Sequence, residues 1–211
     1  MKETMKVIEA IGQLKIQEDR IAKAMQDLDA ITANRITAKK VKGLAPDTYA
    51  NNAKSAYDSV SQLIRRYLAM KEAVNEFNAG TKIVVAGQEM SVASALYLKG
   101  YGLEQKKRLL YNLQKQLITA KKKMDAENGD KLDEAAERHA KQNFEGDVKA
   151  DKLRYLEFIE EYKDRNQFVL IDPINIEDKI KKLSDEIAAF EAGVDTAIQI
   201  ANATHDITIE Y

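Results

Sequence analysis

The sequence predicts a mainly α-helical protein: long antiparallel coiled-coil helices with a small β-sheet at one end, formed by a hairpin over residues 81–90 and strands near 168–171 and 205–211. Three observations lead there. Apolar residues recur at alternating spacings of four and three over long stretches, the signature of heptad helices. The chain has only two prolines, Pro46 and Pro173, and no tryptophan, which suits long helices better than a sandwich or barrel. Short β-branched runs interrupt the helical pattern at a few defined places, each beside a turn residue.

Size and charge narrow the class. At 211 residues the chain has room for one large domain, and the pattern is read as a single elongated helical domain over 1–211. Apolar residues make up 45% and charged residues 32%, so a real core coexists with an unusually charged surface. Lys plus Arg number 33 against 34 Asp plus Glu, which leaves no net field to attract nucleic acid. Cysteine is absent, excluding disulfide frameworks and thiolate metal sites while fitting either a reducing cytoplasm or a virus particle. Met1-Lys2-Glu3-Thr4-Met5 lacks an apolar signal region, and no run approaches the ~18 apolar residues of a membrane span. No membrane partner is expected.

The first helix is expected from about Lys2 to about Val41, with Val7, Ile11, Leu14, Ile21, Met25 and Leu28 on its seam. Glu18 interrupts that seam, and the pattern fades beyond Thr32. Gly43 and Pro46 mark a break. The second helix, Pro46 to about Asn78, repeats without a miss: Tyr49, Ala53, Ala56, Val60, Leu63, Tyr67, Met70, Val74 and Phe77. Its length of roughly 45–50 Å at helical rise suggests an elongated molecule.

Thr81–Met90 combines β-branched residues with Gly87 and reads as a hairpin. Ser91 is a good N-cap for a third helix bearing Leu96, Leu103, Leu110, Leu117 and Met124 at intervals of seven. Gly100-Tyr101-Gly102 inside it signals either a kink or a close helix crossing. Asn128-Gly129 ends that helix. The strongly charged stretch that follows, 125–166, reads as a helical insertion that Gly146 splits, with a weaker stripe of Leu153, Leu156, Ile159 and Tyr162. Phe168-Val169-Leu170-Ile171 then reads as a short buried strand stopped by Asp172-Pro173. The last helix, Ile176 to about Asn202, carries Ile176, Ile180, Leu183, Ile187, Phe190, Val194, Ala197 and Ala201 in register, and Ile207-Thr208-Ile209 alternates as a strand.

Two helix exits resemble each other. Asn78-Ala79-Gly80-Thr81-Lys82-Ile83 and Asn202-Ala203-Thr204-His205-Asp206-Ile207 both leave a heptad helix through Asn-Ala into a β-branched strand. Those strands and 168–171 are therefore expected to share one sheet, within a chain or between chains.

The order of parts resembles a family of small helical bacterial and tailed-phage proteins, some labelled septicolysin-like. Three stretches carry the resemblance: the helix leading into Asn78-Ala79-Gly80-Thr81; Ala86-Gly87-Gln88-Glu89-Met90-Ser91-Val92-Ala93; and the final helix running into Ile200-Ala201-Asn202-Ala203-Thr204. The 130–165 stretch departs from the shorter bacterial members. The resemblance implies an architecture and a bacteriophage setting, with the bacterial cytoplasm or the virion as location, and brings no activity with it.

Chemical motifs are sparse. His139 and His205 have no second histidine or Glu-x-x-His partner at metal-ligand spacing. Phosphate-cradling glycine loops and nucleophile elbows are missing, so neither an enzyme nor a cofactor is expected. The leading expectation is a coiled-coil homo-oligomer, a structural or interaction protein of a virion or its assembly, with itself and other phage structural proteins as partners. Its expected oligomer seam comprises Tyr49, Val60, Leu63, Tyr67, Met70, Val74, Phe77, Leu103, Leu110, Leu117, Ile180, Leu183, Ile187, Phe190 and Val194. The alternative is capture of a small anionic ligand, such as a nucleotide signal, at the basic triplet Lys106, Lys107 and Arg108. Other basic pairs, among them Arg65-Arg66, are read as solvated flanks.

Overall fold

The computed structural model describes all 211 residues, and the fold is mainly helical with small β elements. The chain divides into two compact units: residues 1–101 with 189–211, and residues 102–188.

The first unit opens with strand β1 (Lys2–Lys6), followed directly by helix α1 (Val7–Gln26). The Lys6 amide donates to Glu9 Oε2 at 3.2 Å, which caps the first turn of α1. Val7, Ala10, Leu14, Gln17 and Ile21 are its buried positions, spaced by three and four. Helix α2 (Pro46–Gly80) starts with proline in its first turn, where no amide donor is lost. It runs antiparallel to α1: Gln13 and Glu18 in mid-α1 meet Arg66 and Tyr67, while Asp29, just past the end of α1, meets Tyr49 at the start of α2.

A hairpin follows, β2 (Lys82–Val85) with β3 (Gln88–Ser91), turning through Ala86 and Gly87 at φ 50° and 76°. Positive φ at both central residues is the primed turn that matches strand twist. Ser91 then caps helix α3 (Val92–Tyr97), its Oγ accepting from the Ser94 amide at 3.1 Å. Strand β4 (Asp206–Glu210) pairs antiparallel with β1, Met5 opposite Ile207 and Lys2 opposite Glu210. The unit's core gathers Met70, Val74 and Phe77 from α2, Val7 and Leu14 from α1, Ile83 and Val85 from β2, Val194 and Ala201, and Ile207 and Ile209 from β4.

The second unit contains α4 (Leu103–Asn128), α5 (Asp130–Asn143), α6 (Lys152–Asn166) and the first part of α7 (Ile176–Thr204). Here α7 lies antiparallel to α4, as the ion pairs Lys106–Glu186 at 3.0 Å and Lys121–Glu177 at 2.5 Å require. Ala136 and Ala140, fully buried, let α5 and α6 approach closely around Ile159, with Tyr155, Phe158 and Tyr162 packed alongside.

Several expectations need correction. The first helix does not span Lys2–Val41. Its first residues form β1, whose pairing with β4 outweighs local helix preference. Its end comes at Gln26, and in the segment beyond it the Asn34 side chain bonds the backbone in place of a helical turn, its Oδ1 accepting from the Arg35 amide at 2.9 Å. Asn34 Nδ2 holds the Lys40 carbonyl at 2.8 Å, and Asp29 holds Lys42 at 2.6 Å. The strands do not share one sheet: β1–β4 and β2–β3 are separate two-stranded sheets. Phe168–Ile171 forms no strand and is not buried. At Gly100 there is no helix crossing, since a Cβ there would meet nothing within 4 Å; instead Leu98–Gly102 makes a π-helical turn.

Candidate functional site

The residues expected to form an oligomer seam have three fates. Met70, Val74, Phe77 and Val194 are buried in the core of the first unit, with Tyr67 and Phe190 packed against it. Val60 is also buried, while Leu63 is half-buried. Tyr49 and Tyr67 find the polar company a half-buried phenol needs: their hydroxyls donate to Asp29 and Glu18. The Glu18 carboxylate raises the Tyr67 pKa by accepting that bond, and Lys42 holds Asp29 below the usual carboxylate range. Much of the α2 seam is thus covered by the chain's own α1 and hairpin.

In the second unit coverage is thinner. Leu103 and Ile187 are buried, but Leu110, Leu117, Ile180 and Leu183 are only half-buried. Leu103 is the one buried residue of α4, although Leu109, Tyr111 and Ile118 add exposed apolar surface to the same helix. In the first unit Met25, Ile64 and Leu68 border a shallow groove with Ile21 between α1 and α2.

The basic triplet does not converge on a point. Lys106 pairs with Glu186 at 3.0 Å, and Arg108 pairs with Glu104 one turn earlier at 2.9 Å. Lys107 also has a partner. His139 stacks on Phe158 and Tyr162 at ring distances of 5.4 and 4.6 Å, and His205 Nδ1 lies 3.0 Å from the Ala201 carbonyl. Both imidazoles sit in packing and helix-end roles.

Sequence reading missed two constellations. The first locks the β1–β4 pair to α2. Arg66 Nη2 donates to Glu3 Oε2 at 2.8 Å and to Gln13 Oε1 at 2.7 Å, and its guanidinium lies 5.9 Å from the Tyr211 ring centre. Tyr211 Oη donates to the other Glu3 oxygen. Bonds from Arg66 and Tyr211 hold Glu3 below the usual carboxylate range, and Glu3 in turn raises the pKa of Tyr211. Arg66 is therefore no solvated flank. No periodic signal could have found a pair separated by so much sequence.

The second is a strap, Phe168–Ile174, lying over the C-terminal end of α4. It borders an apolar cleft of about 560 Å³ lined by Leu117, Ala120, Met124, Leu170 and Ile176 among others. Asn128 brackets the strap's first residue like a strand neighbour: its Oδ1 accepts from the Phe168 amide at 2.6 Å and its Nδ2 donates to the Phe168 carbonyl at 2.8 Å. Asp172 fixes the other end by accepting from the Ile174 and Ile176 amides, at 3.3 and 2.8 Å, at the start of α7. Lys123 Nζ sits 5.8 Å from the Phe168 ring centre.

No helix is long and apolar enough to cross a membrane. No protein-family model, curated protein or solved structure matches the chain.

Proposed function

We propose that the protein is a structural or interaction protein that works by associating with copies of itself. The observation that carries this reading is the incomplete burial of α4. Its heptad leucines Leu110 and Leu117 are half-buried beside α7, while Leu109, Tyr111 and Ile118 stand exposed. Exposed apolar side chains flanking a half-covered heptad seam on both sides are what a helix keeps for a partner. The exposed strap residues add apolar surface beside Leu117, Ala120 and Met124 of the same helix. The resemblance in order of parts to tailed-phage proteins supports reading the assembly as a component of a phage particle or of its assembly.

Sedimentation equilibrium of the purified full chain tests the reading. Self-association predicts weight-average masses rising from 23.8 kDa toward a whole multiple with concentration. A constant monomer mass at high micromolar concentration would refute it. Capture of an anionic ligand at Lys106–Arg108 is the weaker reading, because carboxylates already neutralise Lys106 and Arg108.

A further inference from the structure

The strap has the properties of a β-strand that has no neighbour within its own chain. Exposure along it alternates, with Phe168 at 43%, Val169 at 66%, Leu170 at 39% and Ile171 at 89%. A period of two is what an extended backbone produces: Val169 and Ile171 form its more exposed face, Phe168 and Leu170 its less exposed one, and all four border the cleft. The backbone groups of Val169, Leu170 and Ile171 make no hydrogen bond to the rest of the chain. Both ends are nevertheless fixed, by Asn128 at Phe168 and by Asp172 at the start of α7. A segment tethered at both ends with its middle amides free has already met part of the entropic cost of pairing.

The geometry points to Phe168–Asp172 as a strand-pairing site whose occupant is the same segment of a second copy, in antiparallel register. This rests on the self-association proposed above and names the surface that mediates it. Three features favour a second copy. A twofold axis normal to paired antiparallel strands keeps every side chain on its own face. Centred on Leu170, that axis sets Val169 opposite the partner's Ile171 on both sides, making one outward layer of β-branched residues. No charged residue lies between Gln167 and Asp172 to be set against its own copy, and Pro173, lacking an amide, ends the pairing. Finally, the uncovered surface of Phe168–Ile171 and the flanking Ile174 is roughly 500 Å² per chain, so twofold pairing buries at most about 1,000 Å², the range of a small, transient interface. The expected dimer is weak.

The test uses the full chain in three forms: wild type, Val169→Lys with Ile171→Lys, and Val169→Glu with Ile171→Glu. Both positions are exposed, so the variants should keep the wild-type far-ultraviolet circular dichroism. Pairing sets lysine against lysine, or glutamate against glutamate, and each variant alone should associate at least ~100-fold more weakly than wild type. Mixing the two variants should restore association, because each lysine then faces a glutamate. Wild-type oligomers unaffected by the lysine pair, or variants that fail to recombine on mixing, would overturn this site and leave self-association by another surface standing. A wild-type chain that stays monomeric would overturn both.

Discussion

Replacing Arg66 with Met keeps the aliphatic stem and removes the guanidinium that joins β1 to α2. Three bonds are lost: two to Glu3, at 2.8 and 3.2 Å, and one to Gln13 at 2.7 Å. Hydrogen bonds to charged groups contribute about 1.5–3 kcal/mol net in protein interiors. Arg66 and Glu3 side chains remain 21% and 27% exposed, so solvent screening places the whole cluster near the low end, about 1–2 kcal/mol. That corresponds to a ~5–30-fold loss of protection against amide exchange in β1 and β4 at neutral pH. The pH dependence follows from Glu3. Its folded pKa lies below the usual 4.5, so its contribution is complete above that value and disappears as pH falls through the lower, folded one. The difference between wild type and variant should therefore shrink in acid. The assay is hydrogen exchange of β1 and β4 amides, paired with urea unfolding at neutral and acidic pH. An equal difference at both pH values, or none at neutral pH, would refute an ion pair as the tie.

Further outcomes are expected elsewhere. Met70→Ala removes a fully buried side chain from the first core and should cost about 2–5 kcal/mol in urea unfolding. Gln17, only 3% exposed, leaves its Oε1 without a partner; Gln17→Met should raise stability by about 1 kcal/mol, and a loss would mean the amide has an unseen structural role. Asn128→Ala removes both bonds to Phe168. It should speed Phe168 amide exchange roughly 5-fold and weaken self-association, whereas unchanged exchange would show that the strap holds its course unaided.

The sequence made some parts of the fold readable for physical reasons. α2 and α7 could be read because their apolar residues keep heptad spacing through elements of 35 and 29 residues. The hairpin was readable because Ala86-Gly87 lies between β-branched residues and a serine cap. Gly146 does lie where the charged segment breaks, between α5 and α6. β1 was hidden because Lys2-Glu3-Thr4-Met5-Lys6 has no strand preference of its own; Ile207 and Ile209 at the far end of the sequence define it. The same logic inverted misled the reading of Phe168–Ile171, whose composition is that of a strand but whose chain supplies no neighbour. Heptad spacing marked burial without saying by what: Met70 and Phe77 face the chain's own core, while Leu110 and Leu117 remain half-covered. Arg66 lay in a basic pair that composition alone cannot distinguish from a solvated one.

Native mass spectrometry of the full chain, taken from its own source without refolding, tests self-association most directly. Self-association predicts a species at a whole multiple of 23.8 kDa with no added mass, which dissociates on dilution. A monomer at every concentration would contradict it. So would an oligomer that always carries a small anionic adduct, which would make ligand capture the protein's function.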